Sequence, residues 1–453
     1  MSTFKNPTVL GTERISTLLM HYAIPGIIAM TASSLYNMVD SIFIGQGVGP
    51  MAISGLALTF PLMNLSTAFG TLVGVGASTL ISVKFGQRDY ETAQHILGNV
   101  VVLNVIFGLG FVLGVMPFLD DILYFFGGSE ETVPYAREYM FYILLGNVFT
   151  HLYFGLNAVL RASGHPNRAM FATLNTVIIN ILLDPLFIYV FDMGIKGAAV
   201  ATVLSQCISL VWQLRIFCNQ NELLHFRRGI FKLKRKITVD SLAVGMSPFL
   251  MNIAACFVVV LINQGFKTHG GEYGDLTIGA YGIVNRIAFI FMMIIMGFNQ
   301  GMQPIAGYNF GARQYGRVLE VFWKTVFCAT VILTIAFLTA MFLPRYAVSI
   351  FTDNETLISL ATHGLRVSMM FFPIISLHMI STNLFQSIGM AKKAIFLSLM
   401  RQVLVLIPLL FILPIYWGVD GVWYSMPVSD LASSVIAILM LVTQLRKFKQ
   451  MEA

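Results

Sequence analysis

Long apolar segments recur along the whole chain and alternate with short polar connections. A membrane-spanning α-helix needs about 20 apolar residues, because the hydrocarbon core offers no partners to free backbone polar groups. Twelve segments meet this requirement, and together they predict an all-α integral membrane protein. The predicted spans are 17–44, 51–83, 91–116, 133–160, 168–190, 195–218, 241–266, 276–309, 317–343, 356–386, 393–415 and 419–445.

The composition excludes a chain of water-soluble domains. Only 11% of the 453 residues are charged, 57% are hydrophobic and the mean hydropathy is +0.78. A soluble protein carries roughly 25% charged residues, because its surface faces water. No cleavage site follows the first apolar segment, so we expect the first helix to stay in the mature protein. The four cysteines lie in apolar stretches without CxxC spacing, which predicts buried thiols rather than disulfides or a metal site.

Positive charge is concentrated in alternate connections. Nineteen of the 28 Lys and Arg residues fall in one set of loops and at the termini, whereas the other set is mainly acidic. The positive-inside rule therefore predicts that both termini are cytoplasmic. We expect the basic run at 227–236 to be a cytoplasmic connector rather than a nucleic-acid patch. The nineteen residues are Lys5, Arg14, Lys84, Arg88, Arg161, Arg168, Arg227, Arg228, Lys232, Lys234, Arg235, Lys236, Arg313, Arg317, Lys392, Lys393, Arg446, Lys447 and Lys449.

An internal repeat divides the chain into two related halves of six spans each. Halves with the same orientation are related by a pseudo-two-fold axis along the membrane normal, which is typical of transporters. We predict an N-terminal lobe at 1–218, a basic linker at 219–240 and a C-terminal lobe at 241–453. The motifs that recur with a shift near 225 are Phe85-Gly86-x-Arg88-x-Tyr90 with Phe310-Gly311-x-Arg313-x-Tyr315, Gly164, Arg168, Ala169 and Phe171 with Gly389, Lys393, Ala394 and Phe396, and Gly194-x-x-Gly197 with Gly418-x-x-Gly421.

Two acidic residues stand out at membrane depth, where a charge costs about 2.5–3.5 kcal/mol at a helix centre. Asp40 lies late in the first span, and Asp184 shares a face of the fifth span with Asn180. Pro185 leaves a nearby carbonyl without its usual donor. The pair predicts either a Na⁺ site lined by oxygen atoms or a proton site. A proton site is possible because burial and mutual repulsion of the two carboxylates favour proton uptake. The alternative is that each carboxylate only caps a helix or pairs with an arginine.

The second half lacks this acidic pair. At the repeat shift Asp40 corresponds to Asn263 and Asp184 to Leu409, so we expect the ion site in the N-terminal half alone. Arg401 and Asp430, on consecutive spans, are predicted to form a structural ion pair. The other polar residues at membrane depth either line a cavity or are satisfied in the core; they are His151, Arg286, Arg366 and His378.

Enzyme motifs are absent: the chain has no HExxH, no GxSxG and no phosphate-binding loop. We therefore predict a protein that is not an enzyme, needs no cofactor and draws on an ion gradient. Four features occur in order along the chain, namely the first helix with Pro25 and Asp40, Phe85-Gly86-Gln87, Arg161-Ala162-Ser163-Gly164 and Asn180-x-x-x-Asp184-Pro185. Together with the twelve spans they resemble the multidrug and toxic compound extrusion (MATE) family, especially its bacterial MepA-like and DinF-like members.

The resemblance implies a cation-coupled antiporter that expels organic cations and other drugs through a V-shaped pair of lobes. It implies that Asp40, Asn180, Asp184 and Thr202 form the cation site. Some members have an acidic site in the C-lobe; we expect no such site here, because position 263 is Asn and no acidic residue occurs within 356–386. Pro25 removes a backbone donor from the first helix and predicts a bend there.

We therefore predict a monomeric exporter in the inner membrane of a bacterium that exchanges Na⁺ or H⁺ for drug-like, cationic compounds. The main alternative is a flippase for lipid-linked precursors, which would line its cavity with Arg or Lys for pyrophosphate. A membrane-embedded enzyme fits less well, because a catalytic constellation is missing. The candidates for the substrate cavity are Tyr36, Asn37, Asn157, Arg286 and His378.

Overall fold

The computed structural model describes residues 8–452, so the basic residue Lys5 lies outside the described residues. The described chain is helical almost throughout and contains no β-strand. Its first half consists of α1 (Val9–Thr12), α2 (Ile15–Gly47), α3 (Pro50–Gly86), α4 (Tyr90–Val115), a 3₁₀ turn (Met116–Phe118), α5 (Leu119–Phe125), α6 (Val133–Ala162), α7 (Pro166–Pro185) with a π-helical extension (Leu186–Val190), and α8 (Gly194–Cys218).

The second half begins after an irregular connection that follows Cys218. It consists of α9 (Arg235–His269), a 3₁₀ turn (Gly271–Tyr273), α10 (Gly274–Gly311), α11 (Tyr315–Phe342), α12 (Pro344–Ser349), α13 (Glu355–Ser368), α14 (Phe372–Ser387), α15 (Ala391–Leu399) with a π-helical extension (Met400–Leu406), and α16 (Ile407–Glu452). The lobe boundaries stated above stay a prediction.

The number of spans agrees with the hydropathy pattern. Ten described helices are long and apolar enough to cross a membrane, and α13 and α14, bent by 56° at their junction, form an eleventh span. One of the ten runs from Ala391 to Phe448, which is about 87 Å at 1.5 Å per residue, far more than one crossing needs. Its backbone reverses at Gly418 (φ 55°), and a Cβ added at Gly421 would lie 2.3 Å from the carbonyl oxygen of Leu413. This segment is therefore two spans, and the predicted twelve-helix fold is confirmed.

The internal repeat reappears in the backbone. Left-handed conformations that favour glycine occur at corresponding places in the two halves, at the loop positions that the recurring motifs mark. The pairs are Arg88 (φ 60°) with Arg313 (φ 59°), Gly164 (φ 93°) with Gly389 (φ 76°), and Gly194 (φ 59°) with Gly418 (φ 55°). The motifs recur because each half needs the same turn at the same point of its six-helix path.

The two lobes pack backbone to backbone at one end of the bundle. We call this the basic end; it is the end at which Arg88 follows α3 and Arg313 follows α10. A Cβ added at Gly86 would lie 1.9 Å from the Tyr308 carbonyl oxygen, and one at Gly311 would lie 2.0 Å from that of Val83. These contacts exchange under the repeat shift, so the pseudo-two-fold axis passes between α3 and α10 here.

The opposite half of the bundle contains a cavity of about 1,310 Å³ between the lobes. Its walls are the second half of α2, the start of α3, parts of α9 and α10, and residues around 401 and 430. Because the lobes meet at the basic end and separate here, the cavity is closed toward the basic end. This arrangement positions both functional features described next.

Candidate functional site

The structure brings Asp40 of α2 and Asp184 of α7 together in the N-terminal lobe. Asp40 is 5% exposed and Asp184 is fully buried, and the two carboxyl groups lie close enough to repel each other when both are charged. Asp184 sits in the last α-helical turn before Pro185, where the chain widens into the π-helical extension.

The remaining residues of the cation site implied by the resemblance surround this pair. Asn180 donates from Nδ2 to Asp184 Oδ1 (3.1 Å) and to Thr202 Oγ1 (3.3 Å). The hydroxyl of Tyr36 lies 3.3 Å from the same Thr202 oxygen. Helices α2, α7 and α8 therefore meet in one polar cluster, which we call the acidic cluster: Tyr36, Asp40, Asn180, Asp184 and Thr202.

Tyr139 of α6 also belongs to this region, and the sequence analysis missed it. Its side chain is 1% exposed and lies close to Thr202 and to both carboxyl groups. A tyrosine within an apolar helix carries no local signal of such a contact. Only the packing of α6 against α8 reveals it.

Three oxygen atoms of the acidic cluster lack hydrogen-bond partners. Asp40 Oδ1, Asn180 Oδ1 and Asp184 Oδ2 are buried and accept no hydrogen bond from any described residue. A buried polar atom without a partner costs free energy, and a bound cation or proton would satisfy these atoms. Carboxylate and amide oxygens suit hard cations. Among the described residues no group of three His, Cys, Asp or Glu side chains is placed to hold a metal ion.

Pro25 lies within α2, below the acidic cluster and next to the contact between the lobes. A Cβ added at Gly26 would lie 2.9 Å from the carbonyl oxygen of Gly297 on α10. On its other side Pro25 lines a second cavity, of about 820 Å³, at the basic end. There Glu222 accepts hydrogen bonds from Arg168 Nη1 (2.6 Å) and His165 Nε2 (2.7 Å) and holds the linker to the N-terminal lobe.

Only some of the residues predicted to bind substrate line the large cavity. Arg286 lines it, whereas Tyr36, Asn157, His378 and Arg366 are not among its lining residues. The Tyr36 hydroxyl points into the acidic cluster. The side chain of Asn37 lies outside the described part of the structure.

The polar residues that miss the cavity instead join helices to one another. Asn157 donates to the carbonyl oxygen of Ala169 (2.9 Å) and thereby ties α6 to α7. His378 Nδ1 lies 3.3 Å from the carbonyl oxygen of Ser433, between α14 and α16. Their polarity satisfies backbone groups in the core, which is the alternative that the sequence left open.

The predicted pairing of Arg401 with Asp430 is confirmed. Arg401 Nε donates to Asp430 Oδ1 at 2.7 Å, and the side chain of Asp430 is 2% exposed. Both residues line the large cavity. His151 is also placed as a core residue, with Nε2 3.1 Å from Ser66 Oγ between α6 and α3.

Two lobes related by a parallel repeat, with a cavity between them and a buried polar cluster beside it, define a membrane transporter. Comparison with known proteins supplies the family. The model of the MatE family matches residues 25–186 and 252–412, once in each half. The chain belongs to this family, which confirms the resemblance that the motifs indicated.

The relatives are similar over almost their whole length. The chain is 28% identical to the multidrug export protein MepA of Staphylococcus aureus (strain MRSA252) over 421 residues, which is 93% of this chain and 92% of that protein. An outward-facing MATE family transporter of the MOP superfamily shares the fold with a TM-score of 0.92 and 24% identity, covering 99% and 100% of the two chains. A crystal structure of MATE in the bent conformation superposes with a TM-score of 0.91 and 25% identity, over 99% of each chain.

Proposed function

We propose that this protein is a cation-coupled antiporter that exports drug-like organic compounds, organic cations among them, in exchange for Na⁺ or H⁺ across a bacterial inner membrane. The observation that carries the proposal is the acidic cluster, with two buried carboxyl groups and three oxygen atoms that lack partners. The multidrug export activity named for the MepA relative supports the drug as the exported partner.

Helix α2 links the ion to the cavity. Asp40 faces the acidic cluster, while its neighbours Met38, Ser41 and Ile42 line the large cavity. A cation or proton bound between the two carboxyl groups removes their repulsion and lets α2 approach α7. The same movement displaces the cavity wall, so the ion and the drug act on one element from its two faces.

Exchange requires the two ligands to oppose each other. If ion binding weakens drug affinity by some factor, drug binding weakens ion affinity by the same factor. The affinity of purified protein for a drug should therefore fall as Na⁺ rises or as the pH drops, depending on which ion couples. Binding of a cationic drug that is indifferent to both ions would contradict antiport.

The experiment is ethidium efflux from proteoliposomes with imposed Na⁺ and pH gradients. Asp40→Asn and Asp184→Asn should each abolish gradient-driven export and flatten the ion dependence of drug binding, while the protein still inserts and purifies. Asp275→Asn is the matched control, because Asp275 is an exposed acidic residue in the first turn of α10. Unimpaired gradient-driven export in both cluster variants would contradict the assignment.

A flippase for lipid-linked precursors is the second candidate. Arg286 and Arg401 line the cavity, and arginine side chains bind phosphate groups through paired, charge-assisted hydrogen bonds. Such a protein would bind a polyprenyl pyrophosphate in the cavity and translocate it without needing the acidic cluster. Translocation of that lipid that survives Asp184→Asn, together with absent ethidium efflux, would favour the flippase.

A further inference from the structure

The charge of the large cavity resides in its C-terminal wall. The charged side chains that line it are Arg286, Arg401 and Asp430. Asp430 is already neutralised by Arg401, since their side chains form the ion pair at 2.7 Å. Asp40 is 5% exposed and is not among the lining residues. Among the described residues, the lining of the cavity therefore presents one uncompensated positive charge, that of Arg286.

Arg286 lies deep in the membrane part of the molecule. It follows the start of α10 at Gly274 by twelve residues, about 18 Å along the helix axis. Its side chain is exposed to the cavity and makes no hydrogen bond or ion pair with any residue in the described range 8–452. A charge at this depth is costly without a partner, and no side chain in the described part of the protein supplies one.

The surroundings of Arg286 suit an amphipathic ligand. Phe289, Met292 and Val258 give the wall an apolar surface, and the amides of Asn285 and Gln402 add a few polar groups. A guanidinium holds a carboxylate through two parallel hydrogen bonds, which fixes both charge and orientation. A volume of about 1,310 Å³ accepts a drug-sized molecule.

We propose that Arg286 is an anion subsite that binds the carboxylate of amphipathic compounds, so that zwitterionic drugs are preferred over otherwise identical cations. This proposal rests on the proposed function, because it names a substrate class for the same cavity. Arg401 does not take this role, since its Nε is committed to Asp430. The cationic part of a zwitterion would lie against the uncharged α2 wall, at Ser34 and Ser41.

A matched pair of dyes tests the subsite by equilibrium binding. Tetramethylrhodamine is a zwitterion at neutral pH, and its methyl ester is the corresponding cation with the same fluorophore. Fluorescence anisotropy with purified wild-type protein should give tighter binding of the zwitterion. Arg286→Gln should weaken zwitterion binding roughly tenfold or more, and it should not weaken binding of the cationic ester, because it removes a positive charge that repels a cation. Arg286→Lys should retain part of the preference for the zwitterion, because an ammonium keeps the positive charge but cannot form the two parallel hydrogen bonds of a guanidinium.

Arg366→Gln is the matched control, because Arg366 is an exposed arginine of α13 that does not line the cavity. It should leave the preference for the zwitterion intact. The proposal is overturned if wild-type protein binds neither dye or does not prefer the zwitterion. It is also overturned if Arg286→Gln changes both affinities equally, or if Arg366→Gln removes the preference.

Two further measurements separate related explanations. Dodecanoate should displace the zwitterionic dye, whereas tighter displacement by farnesyl pyrophosphate would assign Arg286 to a lipid-linked phosphate and overturn the carboxylate proposal. Ethidium efflux that ignores both ion gradients would contradict antiport, but it would leave the dye preference of Arg286 unchanged. The two proposals can therefore fail separately.

Discussion

A methyl group at the contact between the lobes should shift the protein between its conformations. The Cβ of Gly86→Ala would lie 1.9 Å from the Tyr308 carbonyl oxygen, and ordinary contacts begin at 3.4 Å. The obstacle is backbone, so it cannot turn aside as a flexible side chain would. Helices α3 and α10 must therefore separate by about 1.5 Å. Overpacking of this kind costs about 1–3 kcal/mol, which is a factor of about 5–150 in an equilibrium.

This cost falls on one arrangement of the lobes. The clash joins α3 of one lobe to α10 of the other, so each lobe retains its own packing. We expect Gly86→Ala to favour a state in which the lobes open at the basic end, at the expense of the state described here. Gly311→Ala should act similarly, because it meets the Val83 carbonyl oxygen at 2.0 Å. The double variant should add less than the sum, since one separation relieves both clashes.

The assay is a distance distribution between spin labels on exposed Glu91 and Lys392, at the basic ends of the two lobes, in a background without the native cysteines. Gly282→Ala, on the opposing helix α10, is the control, because its Cβ would meet no atom within 4 Å. We expect the long-distance population to grow for Gly86→Ala and to stay unchanged for the control. An unchanged distribution for Gly86→Ala, or an equal shift in the control, would refute the reasoning.

Three further outcomes are expected. With Lys232→Cys in a cysteine-free background, a membrane-impermeant thiol reagent should label only from the cytoplasm, and labelling of intact cells would overturn the predicted topology. Burial, followed by the charge of Arg168, lowers the pKa of His165. The unfolded chain therefore binds a proton at His165 below pH about 6.5 that the folded protein does not bind, so thermal stability should fall below that pH. The pH dependence of the melting temperature should be weaker in His165→Gln. Arg401→Met should lower the free energy of unfolding by about 3–5 kcal/mol, because it leaves Asp430 buried and unpaired. The double variant Arg401→Met with Asp430→Leu should recover most of this lost stability. Equal melting temperatures of the single and double variants would contradict this expectation.

The spans and the repeat could be predicted from sequence because their signals are local. Membrane crossing depends on apolar length, and the turns at Gly164 and Gly389 need a residue that tolerates a positive φ, so both leave a trace in consecutive residues. The proximity of Asp40 and Asp184 could be anticipated for a different reason. Carboxylates at membrane depth are rare and expensive, so two of them in one lobe invite a shared explanation.

The cavity walls could not be predicted in the same way. Which face of a helix meets the space between the lobes depends on rotation about the helix axis, and an all-round apolar helix gives no periodic signal for it. Thus Tyr36 and Met38, two residues apart on α2, face the acidic cluster and the cavity respectively. Asn157 was expected near substrate, yet its amide satisfies a carbonyl of α7. A polar side chain in an apolar helix has both uses, and the sequence does not separate them.

The placement of α2 explains how one ion could influence both ends of the molecule. Its second half has Asp40 against α7 on one side and the cavity on the other, and its first half packs on α10 at Gly26. Pro25 lies directly beside the contact at Gly26, where a missing backbone donor makes bending easier. A change at the acidic cluster therefore reaches the cavity wall directly and reaches the contact between the lobes through the helix axis. The corresponding helix of the C-terminal lobe, α9, carries Asn263 at the repeat position, so its carboxamide brings no charge for an ion to neutralise. The chemical asymmetry between two similar lobes thus confines the proposed ion response to one of them and leaves the other to provide the charged wall at Arg286.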